Sequence, residues 1–270
     1  MYKAGFIGAG NMGGALAQAV CRKIGPENVA VCRSTAAHTA EAAARLGCAG
    51  GTAAEIAEKS AFVFLGVKPG MVAEVADQIN SVLPEETVLV SMLAGVRIAD
   101  LEEFFGRERK IIRIMPNTPC EIGEGVIPLC AGESVTPQER IACRQLLSDA
   151  GLVDEIPEKL MDAACALSGC GPAFVCLLLE ALADGGVACG LPRDKALAYA
   201  AQTVQGTAAL LRQTGRHPGV LKDAVCSPGG ATICGVAALE AHGLRGACMD
   251  AVAQAYEKSR RMGGGKKDSR

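Results

Sequence analysis

Short apolar blocks separated by small and polar residues run through the first 156 residues of the chain. They predict strands over residues 4–7, 28–32, 61–67, 87–91, 110–115, 126–131 and 152–156, with 126–131 at an edge of the sheet. Helical spacing predicts helices over 15–20, 39–46, 53–59, 71–83 and 137–150, the last capped by Thr136. Near-continuous apolar strands such as 61–67 are typical of a parallel sheet with both faces covered. The pattern therefore predicts an α/β domain over residues 1–156, with a doubly wound sheet.

After Pro157 the strand pattern gives way to helical periodicity. It predicts helices over 158–166, 172–184, 191–211, 220–225, 233–241 and 245–262. This second domain, residues 157–262, is predicted to be all-helical, and residues 263–270 to be a disordered tail. A hundred residues rich in Ala and Gly cannot bury side chains such as Leu178, Leu182, Leu197 and Leu210 alone. We predict a homodimer through these helices, with a larger ring as a further option.

Charge and composition narrow the functional classes. The 270 residues include 27 basic and 29 acidic side chains, a net charge of −2, without a long block of one sign before Lys266. This balance indicates neither a nucleic-acid groove nor a surface for anionic membranes. The longest apolar stretch near the middle, residues 173–179, ends at Glu180 and is shorter than the ~20 residues of a membrane span. We expect a soluble protein that binds neither nucleic acid nor membrane.

The cysteines and the start of the chain indicate a cytoplasmic protein. The thirteen cysteines are odd in number and include no C-x-x-C pair, which favours reduced thiols over disulfides or a metal site. His38, His217 and His242 are far apart in sequence, which argues against zinc. Met1 leads into a strand without the charged and apolar segments of a secretory leader. We expect a cytoplasmic location and no metal.

A glycine turn between the first strand and the first helix carries the first candidate chemistry. Gly8, Gly10 and Gly13 form a G-x-G-x-x-G pattern directly after the apolar strand 4–7. The first glycine permits the tight turn, the second lets the backbone approach a pyrophosphate, and the third permits close strand–helix packing. The helix start offers unpaired N–H groups to the phosphate. Glycines also close ordinary turns, but this position favours a dinucleotide site on a Rossmann-type sheet.

The end of the second strand bears on the choice of cofactor. An acidic residue there holds the ribose 2′-hydroxyl of NAD, whereas an arginine accommodates the 2′-phosphate of NADP. Here Arg33 stands in that place, followed by Ser34 and Thr35. A solvated loop charge is the alternative interpretation of Arg33. We predict NADPH as the cofactor, with NADH as a second option.

Other strand ends are expected at the same edge of the sheet. Lys68 follows strand 61–67 and is either a phosphate or substrate contact or a turn lysine. Asn117 and Thr118 lie in a rigid turn between two prolines, where they either face the nicotinamide region or cap the turn. Both alternatives remain open from the sequence.

A second possible anion site lies in the helical domain. Ser227, Gly229, Gly230, Ala231 and Thr232 precede a predicted helix, so the N–H groups of Gly230, Ala231 and Thr232 could bind a carboxylate beside the Ser227 and Thr232 hydroxyls. A capped turn uses the same residue types, and this segment by itself favours that simpler interpretation.

These motifs together resemble the pyrroline-5-carboxylate reductase family over nearly the whole chain. The segments that carry the resemblance, in the family's order and approximate spacing, are 8–13, 65–69, 94–96, 115–119, 167–173, 183–187, 190–193 and 221–232. The C-terminal motifs are specific to this family, whereas the N-terminal ones are shared with other Rossmann reductases. The resemblance implies NAD(P)H-dependent reduction of 1-pyrroline-5-carboxylate to L-proline, interlocked dimers often assembled into decamers, and a substrate site partly across the subunit interface.

The resemblance also implies roles for individual residues. The implied cofactor contacts are Ile7, Gly8, Ala9, Gly10, Asn11, Met12, Gly13, Arg33, Ser34, Val67, Lys68, Pro69, Met92, Leu93 and Ala94. The substrate carboxylate would lie at Ser227, Gly229, Gly230, Ala231 and Thr232, and Glu158 near the cofactor or the domain junction. Four positions depart from the family pattern: Cys170 and Cys226 replace small polar residues, and Ala53 and Ala224 replace asparagines.

The implied chemistry suits a chain without an obvious His or Cys catalytic centre. A protonated cyclic imine is already electrophilic, so positioning it beside the nicotinamide in a dry pocket supplies most of the catalysis. The Thr232 hydroxyl could bond the ring nitrogen and is the predicted catalytic group. Two alternatives remain. One is a β-hydroxyacid dehydrogenase, for which Lys195 and Lys222 lack the required context, and the other is a dinucleotide sensor, which has no use for a second anion site.

Overall fold

The computed structural model describes residues 1–263 of the chain. Its strands are Tyr2–Ile7 (β1), Val29–Cys32 (β2), Ala49–Gly50 (β3), Ser60–Leu65 (β4), Val88–Ser91 (β5), Lys110–Ile114 (β6), Gly125–Ala131 (β7) and Gly151–Glu155 (β8). They form one sheet in the order β3-β2-β1-β4-β5-β6-β7-β8, parallel from β3 to β6. The first six positions follow the order 3-2-1-4-5-6 of the doubly wound nucleotide-binding sheet. The predicted α/β Rossmann-type fold is confirmed.

Twelve α-helices surround or follow this sheet in the described part of the chain. They are Asn11–Ile24 (α1), Ala36–Leu46 (α2), Ala53–Lys59 (α3), Val72–Ile79 (α4), Ile98–Phe105 (α5), Pro137–Leu147 (α6), Met161–Ala164 (α7), Gly171–Ala188 (α8), Arg193–Thr214 (α9), Pro218–Ala224 (α10), Ala231–Ala241 (α11) and Leu244–Gly263 (α12). Beyond β8 the described residues form helices and turns, as the sequence predicts.

Two apolar clusters fill the two faces of the sheet. Adjacent residues of a strand point to opposite faces, so Phe6 and Phe64 belong to one cluster, whereas Ile7 and Leu65 belong to the other. The Phe6 and Phe64 rings stack with centroids 4.4 Å apart. The near-continuous apolar strands that the sequence shows are thus buried on both sides.

The C-terminal part of the sheet differs from the prediction. The strand predicted over 126–131 was placed at an edge, but β7 lies between β6 and β8, antiparallel to β6 and parallel to β8. Its residues from Ile127 to Cys130 are buried, as an interior strand requires. The edges are β3 and β8, and the two-residue β3 and helix α5 were not predicted.

Several helix boundaries also differ. The helix predicted over 71–83 ends at Ile79, and Asn80 then donates to the Phe104 carbonyl oxygen at 2.9 Å. The break predicted near Gly185 and Gly186 is absent, because α8 continues to Ala188 and Gly186 lies against Ala196 and Leu191 at a distance that leaves little room for a side chain. The predicted tail over 263–270 falls, after Gly263, outside the described residues.

The chain divides into two compact units. One comprises Met1–Cys170 together with the chain from Ala255 onwards, and the other comprises Gly171–Gln254. The boundary that the sequence predicts, after residue 156, stays a prediction. We call these parts the sheet unit and the helical unit, and each is described by itself.

One helical run is longer than the apolar stretch considered in the sequence. Residues 158–188 form a nearly continuous helix with a π-helical turn at Cys165–Gly169, and by length and composition it could cross a membrane. Core and interface helices pass the same test, so the expectation that the protein binds no membrane stays a prediction.

Candidate active site

Four parallel strands end together at one edge of the sheet. Ile7 of β1 is in register with Cys32 of β2 and with Leu65 of β4, and Leu65 is in register with Ser91 of β5. The turns that follow these strands therefore lie side by side. In an open parallel sheet this edge is where ligands bind.

The glycine turn after β1 is fixed by its backbone. The N–H groups of Gly8 and Ala9 both donate to the Cys32 carbonyl oxygen, at 2.9 and 3.0 Å. Gly8 has φ +92°, and a Cβ there would lie 2.7 Å from the Gly66 backbone. A Cβ on Gly13 would lie 2.5 Å from the Gly8 carbonyl oxygen. Side chains at Gly8 and Gly13 are thus excluded by backbone atoms.

The space beside Gly10 is open, unlike that beside Gly8 and Gly13, and leaves room for a pyrophosphate. A Cβ on Gly10 would meet no atom of the described chain within 4 Å, so the space above this residue is open. Gly10 also caps α1 without a side-chain hydrogen bond, and the first turn of α1 has no acidic residue. The N–H groups of that turn remain available for an anion. The residues present therefore fit the pyrophosphate of a dinucleotide.

Arg33 lies beside this turn, and a hydrogen bond from its backbone N–H fixes its position. Its N–H donates to the Thr39 hydroxyl at 2.9 Å, and that hydroxyl donates to the Thr35 carbonyl oxygen. The Arg33 side chain lines a cavity of about 230 Å³ shared with Gly10 and another of about 620 Å³ shared with Ser34. Within the described chain its guanidinium has no ion pair, which leaves it available for a phosphate.

The other predicted cofactor contacts fall into two groups. The side chains of Ile7 and Leu93 are buried in the core, so these residues can reach a ligand through their backbone only. Lys68 and Ala94 are exposed, and Val67 and Met92 are half-buried at the same sheet edge. The remaining predicted contacts lie close by: Asn11 and Met12 begin α1, and Pro69 follows β4. The structure thus brings all these residues to one edge.

The side-chain amide of Asn117 forms hydrogen bonds with two backbone segments. Its side-chain amide donates to the Ser168 carbonyl oxygen at 2.9 Å, and its oxygen accepts from the Val126 N–H at 2.8 Å. The residue is buried, so these contacts use both ends of the amide. Of the two interpretations left open by the sequence, the geometry favours the structural one for Asn117.

A buried charge on β6 was missed by the sequence reasoning. Arg113 is buried and forms an ion pair with Glu158 at 3.2 Å. The same Glu158 oxygen accepts from the Ile98 N–H, at the start of α5, at 2.8 Å. Glu158, expected near the cofactor or the domain junction, thus ties the start of the helical segment to α5 and β6. The signal was the single charge inside the apolar stretch 111–115.

In the helical unit, the segment 226–232 leads directly into α11. Gly229 has φ +66°, and the Gly230 N–H donates to the Ser227 carbonyl oxygen at 3.0 Å. This donor closes the turn, and the prediction that the Gly230 N–H also binds the carboxylate stays a prediction. Gly230 is the N-cap of α11 without a side-chain hydrogen bond. The N–H groups of Ala231, Thr232 and Ile233 are the free donors.

The two hydroxyls predicted beside this anion site are available. Ser227 and Thr232 are exposed, and within the described chain neither hydroxyl has a hydrogen-bond partner. A Cβ on Gly230 would meet the Ser227 Oγ, so this hydroxyl lies directly beside the start of α11. The segment can thus offer backbone donors and two hydroxyls to one small anion.

Two buried cysteines of the sheet unit are poor nucleophiles. Burial raises the pKa of Cys143 to about 12, and that of Cys130 likewise to about 12. Such thiols stay protonated at neutral pH. Among the described residues no group of three potential metal ligands comes together.

Comparisons with known proteins agree with both parts of the chain. A family model described as pyrroline-5-carboxylate reductase dimerisation matches residues 158–262, and one described as NADP oxidoreductase, coenzyme F420-dependent, matches residues 3–95. The pyrroline-5-carboxylate reductase of Arabidopsis thaliana is 39% identical over 264 residues, covering 97% of this chain and 95% of the relative. That of Escherichia coli strain K12 is 37% identical over 263 residues, covering 96% and 98%.

A solved structure extends this similarity to three dimensions. The crystal structure of pyrroline carboxylate reductase from Plasmodium falciparum, with NADP bound, superposes with a TM-score of 0.88 at 34% identity. The match covers 97% of this chain and 98% of that one. Identity and coverage at this level confirm the resemblance seen in the sequence motifs, and the chain belongs to the pyrroline-5-carboxylate reductase family.

Proposed function

We propose that this family member reduces 1-pyrroline-5-carboxylate to L-proline with NADPH, the last step of proline synthesis. The observation that carries the proposal is the contrast between Gly10, whose surrounding is open, and Gly8 and Gly13, where backbone excludes any side chain. That arrangement is built for a pyrophosphate and not merely for a turn. The NADP named with the Plasmodium relative supports the same cofactor.

The sheet edge would hold the cofactor in three places. The first turn of α1 binds the pyrophosphate through its N–H groups and the helix dipole. The turns after β4 and β5, with Val67, Pro69 and Met92, would contact the rest of the dinucleotide. When bound, NADPH supplies the hydride that the imine carbon accepts.

Arg33 would select NADPH over NADH. Its guanidinium lies at the end of β2, where a 2′-phosphate is accommodated, and the strand end has no carboxylate to hold a free 2′-hydroxyl. A charge-assisted bond to the phosphate is stronger than one between neutral groups. Ser34 adds a hydroxyl beside it.

The segment 226–232 would bind the substrate carboxylate. The N–H groups of Ala231 and Thr232 and the hydroxyl of Ser227 donate to its oxygens, and the helix dipole of α11 favours the negative charge. The Thr232 hydroxyl accepts a hydrogen bond from the substrate's ring nitrogen when that nitrogen is protonated and donates one when it is not. This hydrogen bond orients the imine carbon. No strong acid or base is required, because the protonated imine is already electrophilic.

The assembly and location of the protein are part of the proposal. The exposed leucines of the helical unit, together with the dimerisation model that matches residues 158–262, support a homodimer, and a decamer of such dimers is the larger form that the family suggests. We further propose a cytoplasmic protein that binds neither membrane nor nucleic acid.

The test follows NADPH and NADH absorbance after addition of 1-pyrroline-5-carboxylate. We expect oxidation of NADPH at a higher kcat/KM than of NADH, with proline as the product. Equal use of both cofactors would keep the reaction and remove the role of Arg33. Absence of oxidation, in protein that binds NADPH, would contradict the proposed function.

A further inference from the structure

A fourth glycine near the nucleotide turn has no role in the assignments above. Gly14 follows Gly13 inside helix α1 and is buried. Glycine weakens a helix interior relative to alanine, so a glycine at this position is expected to serve a close contact. A Cβ on Gly14 would lie 3.2 Å from Nη2 of Arg45 and 3.5 Å from the Ala9 carbonyl oxygen. The absence of a side chain thus lets the Arg45 guanidinium lie against the start of α1.

The Arg45 side chain comes from the neighbouring helix α2. It belongs to the last turn of α2, where a basic side chain can bond the last carbonyl oxygens of its own helix. Within the described chain Arg45 forms neither such a hydrogen bond nor an ion pair. Its side chain is exposed, and the guanidinium reaches Gly14 of α1 instead. Arg45 therefore presents a cation that is available to a ligand at this helix.

Arg45 shares a cavity with the residues that begin α1. This cavity has a volume of about 230 Å³, and its lining includes Gly10, Asn11, Gly14, Arg33 and Arg45. The N–H groups of the first helical turn have no partner within the helix, and the helix dipole makes this end positive. Two guanidiniums next to such a helix start favour an anion, because hydrogen bonds between charged groups are the strong ones. The cavity thus combines three sources of positive potential.

Two carboxylates in the same cavity make the charge of Arg45 necessary for an anion. Glu41, one helical turn before Arg45, and Glu121 both line the cavity. Together with Arg33 and Arg45 they bring its formal side-chain charge to zero. Without Arg45 the side chains would carry a net negative charge, which would repel a phosphate at short range. Arg45 therefore offsets a repulsion that Arg33 alone cannot offset.

We propose that Arg45 binds the pyrophosphate of the dinucleotide together with the N–H groups of the first turn of α1. Its role differs from that of Arg33, which stands at the end of β2 and is assigned to the 2′-phosphate. NADPH and NADH share the pyrophosphate, so Arg45 serves both cofactors, whereas Arg33 distinguishes them. Gly14 is the position that admits the Arg45 guanidinium. This inference rests on the dinucleotide cofactor of the proposed function.

Calorimetric titration of the full-length protein with NADPH and with NADH tests the role of Arg45. Arg45→Gln should raise the Kd of both cofactors about tenfold, in the lower range for a charge-assisted hydrogen bond. The Tm without cofactor should not change, because Arg45 is exposed and holds no hydrogen bond within the described chain. Arg22→Gln is the matched control: it removes the same charge near the other end of α1 and should leave both Kd values unchanged.

Gly14→Ala provides a second, independent variant. Its methyl group should displace the Arg45 guanidinium and raise both Kd values, by a smaller factor than Arg45→Gln. In the Arg45→Gln background the same substitution should have no further effect, because the side chain that it displaces is gone. Alanine is the better helix former, so the Tm of Gly14→Ala should not fall. Independent, additive effects of the two substitutions would overturn the contact assigned to Gly14.

The two cofactors distinguish the possible outcomes. A higher Kd for NADPH alone in Arg45→Gln would assign Arg45 to the 2′-phosphate and overturn its assignment to the pyrophosphate. Unchanged Kd values for both cofactors would overturn the inference and leave the proposed function intact, since the wild type still binds NADPH. If the wild type binds neither cofactor, the proposed function fails together with this inference.

Discussion

The sheet unit and the helical unit bury their apolar residues to very different extents. In the sheet unit, large side chains such as Phe6, Phe64, Leu16 and Ile56 are almost completely buried in two clusters. In the helical unit the buried apolar residues of the described chain are three alanines, Ala183, Ala196 and Ala200. The sheet unit thus buries its large apolar side chains by itself, whereas the helical unit leaves several leucines exposed.

This difference shows how one chain can combine a ligand site with an assembly surface. Leu178, Leu182, Leu197 and Leu210 are between 37% and 48% exposed, far more than core leucines. Exposed apolar surface of this extent marks an interface. The nucleotide turn, in contrast, rests on strands that are already packed on both faces.

The largest expected effect comes from charging the helical surface. Leu182→Glu combined with Leu197→Glu should dissociate the oligomer and abolish activity, because charged side chains are costly in an apolar interface. Light scattering measures the mass. Leu152→Glu, at a residue of the sheet unit that is 60% exposed, is the matched control and should keep the assembly. An unchanged mass for the double variant would refute the contrast between the units.

Gly10 offers the next largest effect, and it separates binding from stability. Gly10→Ala should raise the NADPH Kd by on the order of a hundredfold, because its methyl group displaces the pyrophosphate. Its Tm should stay unchanged, since a Cβ there meets no described atom within 4 Å. Gly13→Ala, in contact with the Gly8 carbonyl oxygen, should lower the Tm. Calorimetry measures both quantities, and the reverse pattern would show that Gly10 serves the turn.

Substitution of Thr232 tests the catalytic role proposed for a residue of the helical unit. Thr232→Ala should lower kcat roughly ten- to a hundredfold, at or below the lower end of the range of about 10²–10⁴-fold for one general acid–base group. Thr232→Ser keeps the hydroxyl and should restore most of the rate. Steady-state kinetics with saturating NADPH measure the effect. Equal rates for wild type and Thr232→Ala would remove Thr232 from the mechanism.

Substitution of Arg33 tests the cofactor preference proposed for the sheet unit. Arg33→Gln should raise the KM for NADPH about tenfold, because a bond to a charged group contributes about 1.5–3 kcal/mol. The KM for NADH should not change, which makes NADH the internal control. If both KM values rise together, Arg33 shapes the turn and does not select the phosphate.

The smallest effect concerns an ion pair on the sheet unit. Burial raises the pKa of Glu139, but the stronger combined effect of Lys110 and Thr136 lowers it, and Lys110 Nζ lies 2.6 Å from Glu139 Oε1. The pair therefore stabilises the fold above the ordinary carboxyl pKa of about 4.3 and loses this effect as the pH falls through the lowered value.

Lys110→Met should lower the free energy of unfolding by about 0.5 kcal/mol at pH 7, and the difference should shrink toward pH 3. Urea unfolding at both pH values measures it, with the exposed Lys3→Met as control. A difference that grows on acidification would contradict the assignment. The oligomer should persist in both variants, because Lys3 and Lys110 belong to the sheet unit.

The sequence predicted most of the fold because its signals are local. The apolar run before Gly8, the glycine spacing and Thr136 before Pro137 each act within a few residues, and the strand, the turn and the cap are all present. The position of β7 between two strands was not predicted, since pairing order depends on contacts far apart in sequence. Helix α5 was not predicted either, although the Arg97 N–H donates to the Asp100 carboxylate at its start, at 2.9 Å.

By itself the sequence determined the class of the protein: an α/β domain, a helical domain, a glycine turn and a family resemblance that relatives confirm. Tertiary structure decided which donors are free. The Gly230 N–H donates to the Ser227 carbonyl oxygen, and Arg113 forms an ion pair with Glu158. Local patterns specify backbone conformation, but hydrogen bonds and ion pairs between distant residues exist only once packing brings those residues together.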